Sequence, residues 1–400
     1  MQFTKAYIPY GGYWCTPFCR WQGSFSHLHS LEFGAEVAGR ALGERGIAPE
    51  ALDGLYLGTT VPQKCSFYGA PWVAGLIGAP TITGPSIGQA CATSGKVISS
   101  AAAEVELGTH SAILALLCDR TSNSPHIYYP NPRAIGGIGD TEDWVWENFS
   151  RDPFAENSML QTAENVAARA GIDRAAQDAL AVTRYQQYQD ALKDDAKFLR
   201  RYMVVPMEIK DSSRRKVIAT VEGDEGVFPT TAEGLAKLKP ALEGGTVTFG
   251  TQTYPADGSA GLIVTTREGA AEFSRDSGVT IRFISYGQGR AEKGFMAMAN
   301  VPASRQALAR AGVTMKDVKG VKTHNPFAVN DIYFAREMQI DVGAMNRYGS
   351  SLVWGHPQAP TGTRLIIELI EELVMNGGGY GLFTGCAAGD TALAVVIKVD

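Results

Sequence analysis

Two distant segments of this chain carry the same pattern. Ala41-Leu42-Gly43-Glu44-Arg45-Gly46-Ile47 leads to Leu52-Asp53-Gly54-Leu55. Ala307-Leu308-Ala309-Arg310-Ala311-Gly312-Val313 leads to Val318-Lys319-Gly320-Val321. Both read A-L-x-x-x-G-[IV]-x4-[LV]-x-G-[LV], in step over fifteen positions. Each is a helix end, a turning glycine and the start of a buried strand. A duplicated αβ unit is the economical explanation, with chance agreement over so short a match as the alternative. The correspondence continues downstream. Gly95 precedes one long helical run and Gly362 another. Ala112 to Leu117, ending at Cys118, answers Gly381 to Gly385, ending at Cys386.

The repeat divides the chain into halves at 1–120 and 270–400. Alternating helix and strand in each points to an α/β protein, a doubly wound sheet sandwiched by helices. Between them, 121–269 is of another character. Residues 121–160 are rich in Pro, Gly and Trp and read as loop. Residues 161–200 have helical periodicity and many charges. Ser213-Arg214-Arg215-Lys216 and a Gly/Thr-rich tract to Gly258 follow. An insertion this long reads as a lid or a ligand platform.

Composition narrows the function classes. The chain has 400 residues, 45% hydrophobic and 19% charged, enough for a large core and an enclosed site. A net charge of −5 supplies no basic field for nucleic acid. No apolar run approaches the roughly 20 residues of a membrane span. The first residues lack the apolar core of a signal peptide. The six cysteines are sparse and unpatterned and read as the reduced thiols of a cytoplasmic protein. Cys15, Cys19, His27 and His29 match no common zinc spacing, and a packed N-terminal strand and loop is the better reading.

Chemistry-bearing residues fall at element ends. Gln89-Ala90-Cys91-Ala92-Thr93-Ser94-Gly95 joins a Gly/Pro-rich run to a small-residue helix pattern, Val97 to Leu107. A cysteine near a helix N-terminus loses its proton more easily and makes a good nucleophile. A small cysteine packed under the helix is the alternative. His324-Asn325-Pro326-Phe327 follows the strand Val321 to Thr323. Gly355-His356-Pro357 lies in a turn before a helix at Thr363 to Met375. Cys386 follows the strand Tyr380 to Thr384. Each has a plain structural alternative: a capping His324, a turn residue at His356, a packed Cys386. Their equivalent places in the two repeats favour one site. There Cys91 supplies the thiolate, His356 takes its proton, Cys386 is a second acid/base, and His324 donates to a developing oxyanion. Cys118 is then the structural member of the cysteine pair.

These motifs together resemble the thiolases, the enzymes that make or cleave 3-oxoacyl-CoA, over nearly the whole chain. Cys91-Ala92-Thr93-Ser94-Gly95 is similar to the nucleophile motif C-A-S-G, with one residue inserted or shifted. Glu164-Asn165-Val166-Ala167 with Gln177-Asp178 resembles the A-E-N-V-A…Q-D helix. Thr231 to Pro240 and Gly244 to Thr248 resemble the family pattern closely, as does Asn346 through Gly355-His356-Pro357 to Gly362. The resemblance implies a duplicated five-layered α-β-α-β-α fold in which 121–258 is a CoA-binding loop domain. It implies an acyltransferase with Cys91 acylated, His356 activating it, Cys386 shuttling the proton of the Claisen step, and the N–H groups of Cys91 and Ala388 in an oxyanion hole. Arg214, Arg215, Thr251 and Phe327 are its candidate substrate and CoA contacts. CoA is a substrate, and no metal or tightly bound cofactor is expected. A homodimer or homotetramer is implied.

The departures concern the substrate. His324 stands where many thiolases have the Asn of N-E-A-F, as in sterol-carrier-type thiolases and their archaeal and bacterial relatives, some of which work with a small zinc-bearing OB-fold partner. Cys386-Ala387-Ala388 replaces C-x-G, and Gly250-Thr251-Gln252-Thr253-Tyr254 replaces G-N-A-S-G. Tyr68, Trp72, Tyr128, Tyr129, Trp144 and Trp146 could line room for a bulky or aromatic acyl chain, or could be core and interface aromatics. Two rivals remain: a β-ketoacyl synthase-like enzyme using Cys91, His324 and His356, and a non-catalytic acyl-CoA-binding subunit.

Overall fold

The computed structural model describes residues 2–400. Its central strands are β1 (Tyr7–Ile8), β2 (Gly54–Gly58), β3 (Ser86–Ile87), β4 (Ala112–Arg120), β5 (Ala256–Thr265), β6 (Ile281–Arg290), β7 (Val318–His324), β8 (Gly379–Ala387) and β9 (Thr391–Val399). They form a continuous ladder in the order β7-β8-β9-β6-β1-β5-β4-β2-β3. The duplication is explicit in the pairing. In one half β2 runs parallel to β4, and β4 antiparallel to β5. In the other, β7 runs parallel to β8, and β8 antiparallel to β9. Short β1 bridges the halves, with Tyr7 opposite both Thr265 and Arg282.

The principal helices are α1 (Ser30–Glu44), α2 (Gly69–Leu76), α3 (Thr93–Leu107), α4 (Met159–Ala170), α5 (Arg174–Ala191), α6 (Asn300–Ala311), α7 (Ala328–Met338) and α8 (Ala359–Met375). Helices α3 and α8 pack on each other and on strands of both halves. Helices α1 and α2 cover the outside of one half, and α6 the outside of the other. This is the five-layered α-β-α-β-α order. The central helices are largely buried, which explains their small and apolar composition. A Cβ on Gly95 would come within 2.3 Å of Leu393, and one on Gly362 within 2.8 Å of Ser94 Cβ, so the middle layer closes only over glycine. Helix α8 is buried through Leu373, including Arg364 and Glu368. Its charges are therefore paired, with Arg364 2.6 Å from Asp224 and 3.0 Å from Glu368.

The insertion leaves the sheet at Arg120 and returns at Ala256. It is more ordered than its Pro/Gly content suggests. It holds a hairpin, His126–Tyr129 with Asp140–Asp143, and a short helix, Trp146–Ser150. Ser158 and Asp173 cap α4 and α5, each accepting a backbone N–H in the first turn. Both helices pack on α7.

Three boundaries differ from expectation. Helix α3 starts at Thr93 and α8 at Ala359, ahead of their apolar runs; neither has a side-chain N-cap, and polar contacts hold the first turns instead, Thr93 Oγ1 with Gln89 N and Ala90 O for α3, and Asp119 Oδ2 with Ala359 N and Ser94 Oγ with Thr363 N for α8. Cys386 lies within β8 rather than beyond it, because pairing with β9 continues to Ala387 opposite Thr391.

Candidate active site

Four of the predicted side chains converge. Ahead of Cys91, Ala90 has a φ of 43°, in the left-handed region. Such a residue costs on the order of 1 kcal/mol. Thr93 Oγ1 holds it by accepting from Gln89 N at 2.8 Å and donating to Ala90 O at 2.7 Å. Cys91 is thereby set at the N-terminal end of α3. His356 Nε2 is 3.1 Å from Cys91 Sγ, and its Nδ1 is 2.6 Å from Thr361 Oγ1 in the first turn of α8. The rings of His324 and His356 stand 4.0 Å apart. Donor atoms of Cys91, His324 and His356 lie within 4.8 Å of one another. His324 Nδ1 is 2.9 Å from Ser351 Oγ, and its Nε2 has no protein partner. Cys386 Sγ accepts from Asn330 Nδ2 at 3.1 Å. The backbone N–H groups of Cys91 and Ala388 are directed at Cys91 Sγ.

The electrostatics depart from expectation at Cys91. Burial pushes its thiol up to about 12, outweighing the two N–H groups that favour the thiolate, and the Asp119 carboxylate adds to the rise. The helix N-terminus therefore does not ionise Cys91 by itself. Burial, then its neighbour His324, holds His356 well below the ordinary histidine range. Burial lowers His324 to about 3. Burial also raises Cys386, and the nearby Cys91 raises it further. The resting site is thus a thiol against a neutral imidazole, suited to proton transfer during attack.

The supports for these groups were not legible as motifs. Ser94 Oγ accepts from Thr363 N at 2.8 Å and donates to Ala359 O, joining the helices that carry Cys91 and His356. Asp331 is fully buried. It accepts from Asn325 Nδ2 at 2.7 Å, from Asn346 Nδ2 at 3.0 Å and from Thr323 Oγ1, and pairs with Arg184 at 2.9 Å. Arg184 belongs to α5 of the insertion, so one ion pair ties the insertion to the His324-Asn325 loop.

The other predicted residues are spread more widely. Thr251 and Phe327 are neighbours of the histidine loop. Ala328 N donates to Thr251 O at 2.9 Å, and Phe327 packs in the cluster that holds Cys386. Arg214 and Arg215 sit in the turn between Met207–Lys210 and Val217–Val221. Arg214 pairs with Glu32 of α1. Neither borders the cavity over Cys91. Cys15 and Cys19 are packed in the core, while His27 and His29 bind the carbonyls of Lys210 and Lys64. Cys118 packs against Gly34 of α1 and lies 3.5 Å from Ser259 Oγ.

The cavity beside Cys91 encloses about 550 Å³, walled on the insertion side by Trp144, Phe149, Phe154 and Met159. Of the six aromatics singled out in the sequence, Trp144 lines it, donating Nε1–H to Thr60 O at 2.8 Å. Trp72 stacks edge-on with His29, and Tyr68, Tyr128, Tyr129 and Trp146 are exposed.

Comparison with known proteins supplies the family. The thiolase N-terminal domain model matches residues 13–268, and the thiolase C-terminal domain model matches residues 278–399. The chain belongs to the thiolase family. This thiolase is a CoA-dependent acyltransferase. It is 30% identical to the acetyl-CoA acetyltransferase of Paracoccus denitrificans, covering 96% of this chain and 97% of that one. It is 27% identical to the human mitochondrial 3-ketoacyl-CoA thiolase, with 96% of each chain covered. The crystal structure of the Bacillus anthracis acetyl-CoA acetyltransferase superposes with a TM-score of 0.90, at 27% identity and 100% coverage of both chains. That of the human mitochondrial 3-ketoacyl-CoA thiolase in complex with CoA gives 0.89, at 26% identity, covering 100% of this chain and 99% of that one.

Proposed function

We propose that this thiolase cleaves, or in reverse forms, a 3-oxoacyl-CoA through an acyl-enzyme on Cys91. The observation that carries the reading is the 3.1 Å contact between Cys91 Sγ and His356 Nε2 beneath an apolar cavity. His356 takes the Cys91 proton as Sγ attacks the ketone carbon. The bond between that carbon and the α-carbon breaks, and its electron pair passes to the enolate of the leaving acyl-CoA. Cys386 protonates the α-carbon. The thiol of free CoA, giving its proton to Cys386, then attacks the thioester, and the released Cys91 sulfur takes its proton back from His356. The first half-reaction turns the ketone carbonyl into the Cys91 thioester, and the second passes that thioester to CoA.

Oxyanion stabilisation falls to fixed donors. The N–H groups of Cys91 and Ala388 serve one oxygen. His324 Nε2 serves the other when the Ser351 hydroxyl is turned to Nδ1. The aromatic wall of Trp144, Phe149 and Phe154 suits a bulky or aromatic acyl chain. The contact test is direct: Cys91→Ala retains the wild-type melting curve and loses acyl transfer by at least about a thousandfold. Substantial turnover in that variant would sink the assignment.

The same reading makes the protein a cytoplasmic homodimer or homotetramer. Supporting this are six unpaired cysteines and the exposed Phe67 and Tyr68 near edge strand β3. Among the described residues no helix is long and apolar enough to cross a membrane. Light scattering of the pure protein tests the assembly. A small zinc-bearing OB-fold partner is the further association this reading allows, tested by co-purification from the native host.

A further inference from the structure

Among the polar side chains that border the cavity beside Cys91 and take no part in the steps above is Gln358, which follows His356-Pro357. It is 8% exposed. Its backbone has φ 59° and ψ −97°, which a non-glycine residue keeps only where its surroundings hold it. The hold comes from both sides. The next residue, Ala359, donates its N–H to Asp119 Oδ2 at 2.9 Å. The Gln358 side-chain oxygen, Oε1, is placed 2.7 Å from Thr60 Oγ1. The other amide atom bonds to no described residue, and the side chain borders the cavity.

Counting protons assigns the two atoms. Asp119 receives Thr59 Oγ1–H, the N–H groups of Thr60, Val61 and Ala359, and Thr60 Oγ1–H. A carboxylate only accepts, and the five donors that converge on Asp119 favour that form, although burial raises it to about 6. Thr60 has one hydroxyl proton. It lies 2.8 Å from Asp119 Oδ2, and the bond to the charge is the stronger claim on it. The Gln358 group facing Thr60 must then donate, so the proton count turns the amide over, setting its nitrogen on Thr60 and its oxygen towards the cavity.

We propose that Gln358 is a specificity-determining residue whose side-chain carbonyl accepts a hydrogen bond from an O–H or amide N–H donor on the bound acyl-CoA. The proposal rests on the acyl-enzyme reading of Cys91. Two parts of an acyl-CoA can supply the donor: a hydroxyl on the acyl chain, or an amide of the pantetheine arm. A ligand with no donor at that point leaves a nearly buried carbonyl unpaired, which is the chemistry by which sites discriminate most sharply.

The test compares the rate of Cys91 acylation by pairs of acyl-CoA thioesters that differ only by a chain hydroxyl, together with the KM for free CoA in thiolysis. It uses wild type, Gln358→Leu and Thr60→Val. If the acyl hydroxyl is the donor, wild type favours the hydroxylated member on the order of tenfold, and Gln358→Leu brings the ratio to about one. If pantetheine is the donor, the ratio is near one throughout, and Gln358→Leu raises KM for CoA and for every thioester on the order of tenfold. Equal ratios and equal KM values in wild type and Gln358→Leu overturn the proposal. Should Gln358→Leu not fold, Thr60→Val decides. It frees the amide to rotate while keeping Gln358, and the same readout must move in the same direction, or the proposal falls. A wild type that no donor acylates defeats the acyl-enzyme reading first, and this proposal with it.

Discussion

Cys118 and Cys386 occupy the same place in the two halves. Each follows by one residue the position that closes a parallel ladder, Gly58 opposite Leu117 and His324 opposite Gly385. Each also faces an antiparallel neighbour, Ser259 for Cys118 and Ala392 for Cys386. Their surroundings diverge completely. Cys118 is sealed under Gly34 of α1, where even a Cβ would come within 2.1 Å of its sulfur. Cys386 meets the amide of Asn330 and lies within electrostatic reach of Cys91. Duplication supplied the scaffold twice, and the loops and helices laid over it decide where chemistry occurs.

The largest test of that contrast replaces each cysteine. Cys386→Ala should lower C–C cleavage by on the order of a thousandfold while Cys91 still exchanges acyl groups with CoA. Cys118→Ala should leave turnover within about twofold, since no proton passes through it. A steady-state assay beside a single-turnover acylation assay separates the two.

A second test concerns what the insertion lends to one half only. Arg184→Met strands the Asp331 carboxylate in the core and should cost about 3–5 kcal/mol in urea unfolding. The folded fraction should show a kcat lower by on the order of tenfold, because Asn325 and the His324 loop lose their anchor. Asp331→Asn combined with Arg184→Met should cost less than the sum of the single changes, since the stranded charge is gone.

The third concerns pH. His324 is lowered to about 3 when folded, against roughly 6.5 unfolded. Between these values the unfolded chain binds the extra proton, so stability is full above about 6.5 and is lost as pH falls towards 3. His324→Asn should therefore show a shallower decline in melting temperature across that window than wild type. The smallest effect is expected at the quiet end of the comparison, where Cys118→Ala should cost roughly 1 kcal/mol for the contacts it gives up.

Much of the fold was legible because it depended on patterns that repeat. Ala41–Leu55 and Ala307–Val321 show the duplication in bare sequence, and the strand pairing reproduces it. The convergence of Cys91, His324, His356 and Cys386 was legible because each sits at the end of an element in a sheet that gathers such ends. The supports were not. Asp331, Arg184 and Asn330 read as ordinary helix residues, and only tertiary packing makes them buried and paired. The ionisation of Cys91 was misjudged for a related reason. Helix position is visible in sequence, but the burial that outweighs it is not. Phe149 and Phe154 escaped notice because the insertion folds over the site in a way its Pro/Gly content conceals.

The central claim is that one thiol, Cys91, carries the acyl group. Mass spectrometry of the protein after exposure to a panel of acyl-CoA and 3-oxoacyl-CoA thioesters tests it most directly. The expected result is a mass gain of one acyl group, confined to the Cys91 peptide, removed by free CoA and absent in Cys91→Ala. No adduct from any donor, or an adduct that persists in Cys91→Ala, would contradict it.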